Sequence, residues 1–159
     1  MSEETHAPIT GGCLCGAIHY KISFPAGPES EWPPVPHICH CTQCRKNTGS
    51  LMVHFFTIEP KTVTWSSPAP TFREYSASPG CFRGFCDKCG TLLTWRREGS
   101  LNEIEITTGS LDESVLEEFG DILAKPVGGQ YWCRNFIKGL TDVVPEGDRY
   151  AEGPGSAKC

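Results

Sequence analysis

The feature that most restricts this chain is its content of ten cysteines among 159 residues. A chain with this density of cysteine either carries disulfide bonds in an oxidising compartment or binds metal in a reducing one. The start of the sequence, MSEETHAPIT, has acidic residues where a secretory signal has a basic segment, and no apolar run follows. We therefore expect a cytoplasmic protein whose cysteines bind metal.

Seven of the ten cysteines fall into three closely spaced groups, and their spacing favours metal over disulfide bonds. The groups are Cys13-x-Cys15, Cys39-x-Cys41-x-x-Cys44 and Cys86-x-x-Cys89. Cysteines this close in sequence rarely meet the geometric requirements of a disulfide. The same spacing lets two sulfurs bind one tetrahedral ion, because residues i and i+2 of an extended segment point to the same side.

The two outer groups together supply four sulfurs, which is a complete tetrahedral set. Cys86-x-x-Cys89 followed by Gly90 is typical of a zinc knuckle, in which glycine allows the left-handed backbone after the turn. We expect Cys13, Cys15, Cys86 and Cys89 to form a closed, structural zinc site that joins distant strands. The alternative is a set of four buried or free cysteines without metal.

The middle group supplies three sulfurs to a second ion and leaves its fourth position open. Three protein ligands and an open position are the pattern of a catalytic zinc site. Three thiolates bring the net charge to about −1, which mutes Lewis acidity and favours a sulfur ligand over strong activation of water. Two alternatives stay open: redox chemistry, and a closed site whose fourth ligand is His37, His40 or Cys81.

Composition and periodicity predict one mainly β domain built of short strands. The 17 glycines and 13 prolines favour short strands joined by turns over a helical bundle. Apolar alternation and turn residues predict strands over 17–24, 51–58, 62–65, 71–75, 90–95, 102–108 and 130–137, with a short helix over 112–119. The domain is expected to span 11–144, between flexible tails at 1–10 and 145–159.

The charge and hydropathy of the chain restrict its partners. A net charge of −5 disfavours nucleic acid, and no apolar run approaches the roughly 20 residues of a membrane helix. Some basic side chains near the cysteine groups are candidates for binding the carboxylates of an acidic thiol, with a solvated basic rim as the alternative. These side chains are Arg45, Lys46, Arg73 and Arg83.

Several other side chains have a structural interpretation beside a functional one. His54 is either an acid or base near the middle group or a hydrogen-bonded strand histidine. His40 lies between two candidate ligands and is expected to point away from the metal. Glu103 and Glu105 alternate with isoleucines on one strand and are expected to face solvent. The tryptophans expected in the core are Trp32, Trp65, Trp95 and Trp132.

Three motifs make the sequence resemble the glutathione-dependent formaldehyde-activating enzyme family, whose domain also occurs in centromere-protein-V-like proteins. They are GGCLCGAIHY at 11–20, CHCTQCRKNTGS at 39–50 and FCDKCGT at 85–91, and TGSLD at 108–112 matches a further family motif. The resemblance covers roughly residues 10–140. It implies an all-β, zinc-bound fold of the Mss4-like kind.

The resemblance also implies two zinc ions per chain and a role for each. The structural zinc would bind Cys13, Cys15, Cys86 and Cys89, and the catalytic zinc would bind Cys39, Cys41 and Cys44. The implied activity is that of a carbon–sulfur lyase that forms or cleaves S-hydroxymethylglutathione from glutathione and formaldehyde. A related lyase or isomerase would use another small thiol or aldehyde. The alternative is a non-catalytic zinc module that binds protein or nucleic acid.

Two features depart from the family pattern. The stretch QYWC at 130–133 stands where family members have a His-Ile-Trp-like sequence, so the wall of the substrate pocket is expected to differ. Cys81 and Cys133 are additional to the pattern.

Overall fold

A computed structural model describes residues 6–28, 30–66 and 68–159. Within these ranges the chain forms ten strands, which are arranged in two sheets, and two α-helices. The strands are β1 Ile9–Gly12, β2 His19–Ile22, β3 Val35–Cys39, β4 Val53–Ile58, β5 Val63–Trp65, β6 Phe72–Ser78, β7 Cys81–Cys86, β8 Leu92–Arg97, β9 Ile104–Thr107 and β10 Gln130–Tyr131. The helices are α1 Thr42–Thr48 and α2 Glu113–Leu123. The prediction of a single, mainly β domain is confirmed. No helix of the described ranges has the length and apolarity to cross a membrane.

The strands form a small sheet and a large sheet. The small sheet is antiparallel with the order β1-β2-β5, and the large sheet has the order β10-β3-β4-β9-β8-β7-β6. Only β10, which pairs with β3, runs parallel to its described neighbour. This order places β3, whose last residue Cys39 begins the middle cysteine group, with two strands between it and β8 and three between it and β7.

One hydrophobic core joins the small sheet, one face of the large sheet and α2. Ile22, Phe24, Phe56, Ile106 and Leu123 are all fully buried in it. Burial of each such side chain stabilises the fold by about 1.5–3 kcal/mol. The core therefore covers one face of the large sheet, and the opposite face is available for a site.

The helices and the last strand differ from the sequence-based predictions. Helix α1 is not predicted, because seven residues are too few to show a helical period. The helix ends at Thr48, and Gly49 caps it with a left-handed φ of 74°. Helix α2 extends four residues beyond the predicted end, since Leu123 packs into the core. The strand predicted over 130–137 ends at Tyr131, because Trp132 adopts a φ of 62° and a 3-10 turn follows.

The packed part of the chain extends beyond the predicted limits of 11–144 on both sides. Strand β1 begins at Ile9, which is fully buried, while residues 1–5 lie outside the described residues. At the other end, the Tyr150 amide donates to the Gln130 carbonyl at 2.9 Å. The Gln130 side chain donates to the Glu146 carbonyl at 2.8 Å. Flexibility of the two ends stays a prediction.

Candidate metal centres and the cleft beside them

The four cysteines of the outer groups, called the quartet from here on, meet at one point. Their Sγ atoms all lie within 4.8 Å of one another, with 3.6 Å between Cys13 and Cys15 and 3.8 Å between Cys15 and Cys86. A tetrahedral zinc ion with bonds of about 2.3 Å would hold its sulfurs about 3.8 Å apart. The quartet, which Cys89 completes, therefore fits zinc in its number of ligands, its chemistry and its spacing.

Local backbone structure explains why the quartet forms. After β7 the chain turns so that the Gly90 amide donates to the Cys86 carbonyl at 2.8 Å, and the φ of 77° at Gly90 requires a residue that tolerates the left-handed region. Hydrogen bonds from the Thr91 hydroxyl and from backbone amides lower the pKa of Cys89 to about 6. The turn thus stabilises the thiolate form that binds metal.

The quartet connects the two sheets. Cys13 and Cys15 lie in the turn after β1 of the small sheet, whereas Cys86 ends β7 of the large sheet. Four protein ligands leave a tetrahedral ion no position for a substrate. An ion held by the quartet would therefore join the sheets without binding a substrate.

The three cysteines of the middle group, called the trio from here on, form a second cluster. Cys39 ends β3, Cys41 is the N-cap of α1, and Cys44 lies in the first turn of that helix. The three Sγ atoms lie within 4.8 Å of one another, and the Cys44 amide donates to the Cys41 sulfur at 3.2 Å. No fourth cysteine, histidine or carboxylate of the described ranges joins the group. The trio fits a zinc ion that keeps one position open.

The three thiols of the trio strongly influence one another's ionisation. Hydrogen bonds with Cys39 and Cys44 lower the pKa of Cys41 to about 2. Hydrogen bonds with Cys41 and Cys44, together with burial, raise the pKa of Cys39. A hydrogen bond with Cys39 lowers the pKa of Cys44, but the bond with Cys41 and burial outweigh it and raise the pKa to about 12. Thiols this close disfavour one another's ionisation, and a bound cation would be needed to hold all three as thiolates.

The trio opens into a cleft of about 990 Å³. The floor of this cleft is the free face of the large sheet. Thr57, Glu105, Trp95 and Arg83 are directly paired from β4 to β9, β8 and β7, so their side chains share that face. The C-terminal segment contributes a wall through Tyr131, Trp132, Arg134, Asn135, Gly153 and Pro154. Tyr131 and Trp132 of the stretch 130–133 thus lie at the cleft, and a pocket wall different from that of the family stays a prediction.

Arg83 is the one of the four basic candidates that lines the cleft. It is 3% exposed, and its Nη2 lies 3.3 Å from the Gln43 Oε1 and 3.8 Å from the Cys44 sulfur. Its Nη1 is buried without a hydrogen-bond partner among the described residues. Arg73 instead pairs with Asp87 at 3.1 Å. Arg45 and Lys46 lie in α1 outside the cleft lining.

The histidines near the trio lie on different faces. His40 is buried, and its Nε2 lies 3.1 Å from the Gln130 Oε1; it points away from the trio, as predicted. His54 lies outside the cleft, where its Nδ1 is 3.1 Å from the Ala124 carbonyl oxygen, and burial lowers its pKa. The interpretation of His54 as a hydrogen-bonded strand histidine therefore agrees with the structure. His37 faces the cleft two residues before Cys39.

Two expectations about cleft residues are wrong. Glu105 does not simply face bulk solvent. It lies on the floor of the cleft, where its Oε1 is 3.6 Å from the His37 Nε2. Trp132 lines the cleft instead of packing in the core. Trp95 also lines the cleft but packs against the buried cluster around Phe55, and Trp32 and Trp65 pack against the main core as expected. Alternation with isoleucines identifies the polar face on which Glu105 lies, but it does not reveal that this face forms the floor of a cleft.

Comparison with known proteins adds the following findings. A family model described as glutathione-dependent formaldehyde-activating enzyme matches residues 8–134, a range that includes both cysteine clusters. No curated protein matches the chain. The fold is similar to the crystal structure of a Rhodobacter sphaeroides protein, with a TM-score of 0.52 and 20% identity over 70% of this chain and 94% of that one. This level of identity supports the fold alone.

Proposed function

The chain belongs to the glutathione-dependent formaldehyde-activating enzyme family, and we propose on this basis that it is a zinc-dependent carbon–sulfur lyase. Its reaction would be the reversible addition of a thiol to an aldehyde, with glutathione and formaldehyde giving S-hydroxymethylglutathione, or a related addition to another small aldehyde. The observation that carries the proposal is the trio: three sulfurs, without a fourth ligand among the described residues, open into a cleft of about 990 Å³.

The two cysteine clusters have different roles in this proposal. The quartet holds a structural zinc that joins the sheets, and the trio holds a catalytic zinc. A zinc ion bound by the trio would supply a position for a thiol sulfur and favour its ionised form at neutral pH. All other contributions come from side chains of the cleft.

The cleft supports the reaction by placing two reactants together. Phe55, which is almost fully buried, and Trp95 supply apolar surface beside the trio, and this surface excludes water from the reacting carbon. Glu105 and the stacking contact with Phe55, whose ring centroid is 5.7 Å away, hold the His37 ring against the floor. A fixed floor of this kind favours addition because it replaces an encounter of two free molecules by reaction within one complex.

The alternative function is a non-catalytic zinc module for protein or nucleic acid. Such a module needs the quartet but has no use for an open three-sulfur cluster at the base of a cleft. The net charge of −5 also weighs against nucleic acid. Glutathione as co-substrate and a cytoplasmic location remain predictions.

The proposal is tested by measuring exchange between formaldehyde and its glutathione adduct. The zinc-loaded protein is added to glutathione and ¹³C-formaldehyde, and the exchange rate is read from the methylene signals by NMR exchange spectroscopy. The wild-type protein should accelerate exchange above the uncatalysed rate, and Cys41→Ser should abolish the acceleration. Cys81→Ser is the matched control, because Cys81 lines the same cleft outside the trio.

The outcomes separate the two functions. Acceleration that disappears in Cys41→Ser and persists in Cys81→Ser supports the lyase. A wild-type protein that carries two zinc ions yet leaves the exchange rate unchanged with glutathione and with other small thiols and aldehydes contradicts it. Acceleration that survives Cys41→Ser contradicts the role given to the trio.

A further inference from the structure

We propose that Arg83 is the residue that stabilises the oxygen of the aldehyde as that oxygen becomes negatively charged. The inference rests on the proposed carbon–sulfur lyase activity and assigns a group that neither the sequence motifs nor the cysteine clusters supply. The argument has three steps: the charge of Arg83, its unpaired donor, and the oxygen of the adduct that a cation in contact with the trio would match.

The first step concerns the charge. Arg83 carries a guanidinium cation and is 3% exposed, and the described residues give it no carboxylate partner. Buried charges in proteins are paired, because an unpaired one is costly. The group that lies beside its guanidinium is the sulfur of Cys44, 3.8 Å from Nη2. The guanidinium cation therefore lies directly against the trio, where it can serve the chemistry of that cluster.

The second step concerns the unpaired donor. Gln43 and Cys44 both contact Nη2, and Nη1 has no partner among the described residues. A buried N–H without an acceptor is unusual in a folded protein, and a hydrogen bond involving a charged group is stronger than a neutral one. The guanidinium thus retains donor capacity for an anionic oxygen that enters the cleft beside Cys44. Gln43, the residue before Cys44, is the positioning residue that holds the other arm.

The third step decides which oxygen this is. When a thiolate adds to an aldehyde, the new sulfur–carbon bond forms, the carbonyl π electrons move to oxygen, and the alkoxide then takes a proton from solvent water. In the adduct that oxygen is separated from sulfur by a single carbon. The carboxylates of glutathione are much farther from its sulfur, since backbone atoms of the tripeptide intervene. A cation in contact with the trio therefore matches the oxygen of the aldehyde.

The first test is binding without turnover. Mercaptoacetate carries an anionic oxygen close to its sulfur, and 2-mercaptoethanol is a neutral thiol of similar size. Calorimetry of the zinc-loaded protein should show that the wild type binds mercaptoacetate with an affinity about tenfold or more above that for 2-mercaptoethanol. Arg83→Gln should bind the two thiols with similar affinity. Arg97→Gln is the matched control, because Arg97 lines the same cleft but is exposed; it should keep the preference. A preference that is absent from the wild type or retained by Arg83→Gln overturns the inference.

The second test separates the reacting oxygen from a carboxylate of glutathione. In the ¹³C-formaldehyde exchange assay, Arg83→Gln should lower kcat about 100- to 1000-fold and change the KM for glutathione less than about threefold. A rise in KM with unchanged kcat would assign Arg83 to a glutathione carboxylate and overturn the inference. If Arg83→Gln loses zinc or fails to fold, Arg83→Lys decides, since it keeps the charge and loses the planar fork. Arg83→Lys should also lower kcat with little change in the KM for glutathione, by a smaller factor than Arg83→Gln.

The two tests also separate this inference from the proposed function. A wild type that accelerates exchange, with an Arg83→Gln variant that does so equally well, overturns the role of Arg83 alone. A wild type without acceleration, in which Arg83 still determines the preference for mercaptoacetate, contradicts the lyase and leaves the anion site in place.

Discussion

Removal of one quartet cysteine is the change that best tests the structural role of that cluster. In Cys86→Ser the quartet loses a ligand that is fully buried at the end of β7. A zinc ion on the intact quartet links Cys15 to Cys86 across 71 residues. By the entropy of closing a loop of that length, such a link stabilises the folded chain by about 4 kcal/mol.

This loss corresponds to a large fall in the unfolding temperature. Domains of this size shift by about 2–4 °C for each kcal/mol, so Cys86→Ser should unfold about 10 °C below the wild type. The trio closes only a short local loop, since Cys41 and Cys44 are three residues apart. Serine is also a good N-cap for α1, which Cys41 now caps, so Cys41→Ser should lower the unfolding temperature by less than about 3 °C.

The assay is thermal unfolding by circular dichroism, with the zinc content of each variant measured on the same samples. Cys81→Ser, a partly buried cysteine outside both clusters, is the control for loss of a thiol. Equal falls in unfolding temperature for Cys86→Ser and Cys41→Ser would refute the division into a structural quartet and a catalytic trio. So would a Cys86→Ser variant as stable as the wild type.

Two further predictions concern packing and pH. Gly84→Ala should lower the free energy of unfolding by about 1–3 kcal/mol, because the new Cβ would lie 2.2 Å from the Thr94 hydroxyl and 2.5 Å from the Phe72 ring. Urea unfolding checks this, and an effect no larger than that of Gly109→Ala, where a Cβ meets open space, would contradict it. Burial lowers the pKa of His54, so below about pH 7 the unfolded chain, with a histidine pKa near 6.5, binds more protons than the folded one. The free energy of unfolding should therefore decrease as the pH drops through that range, and it should decrease less in His54→Gln. The measurement is the urea midpoint as a function of pH, and the same pH dependence in both proteins would contradict the prediction.

The cysteine clusters could be predicted from the sequence because their spacing is local. Cys13 with Cys15, and Cys86 with Cys89, each lie within one turn, so each pair meets without long-range information. The division into four and three follows from counting ligands. The grouping of the two pairs into one quartet was an inference from coordination number, and the structure brings their sulfurs within 4.8 Å.

The cleft could not be predicted, because it depends on strand order. Arg83 and Glu105 lie on strands that are separate in sequence, and Trp95 between them brings both onto one floor. The polar alternation around Glu105 indicates a solvated face, and only the order β9-β8-β7 shows that this face forms the floor of a cleft. The C-terminal wall leaves no local pattern for a related reason: it depends on long-range contacts, such as the Tyr150 amide that donates to the Gln130 carbonyl and the Cys133 amide that donates to the Tyr150 carbonyl.

The central claim is that seven sulfurs form one complete and one incomplete zinc site. The most direct measurement is the number of zinc ions bound to the intact chain, determined by native mass spectrometry for the wild type and Cys41→Ser. We predict two zinc ions for the wild type and one for Cys41→Ser, with both chains folded. A wild type that binds a single zinc ion after full zinc loading, or a Cys41→Ser variant that keeps two, would contradict the claim.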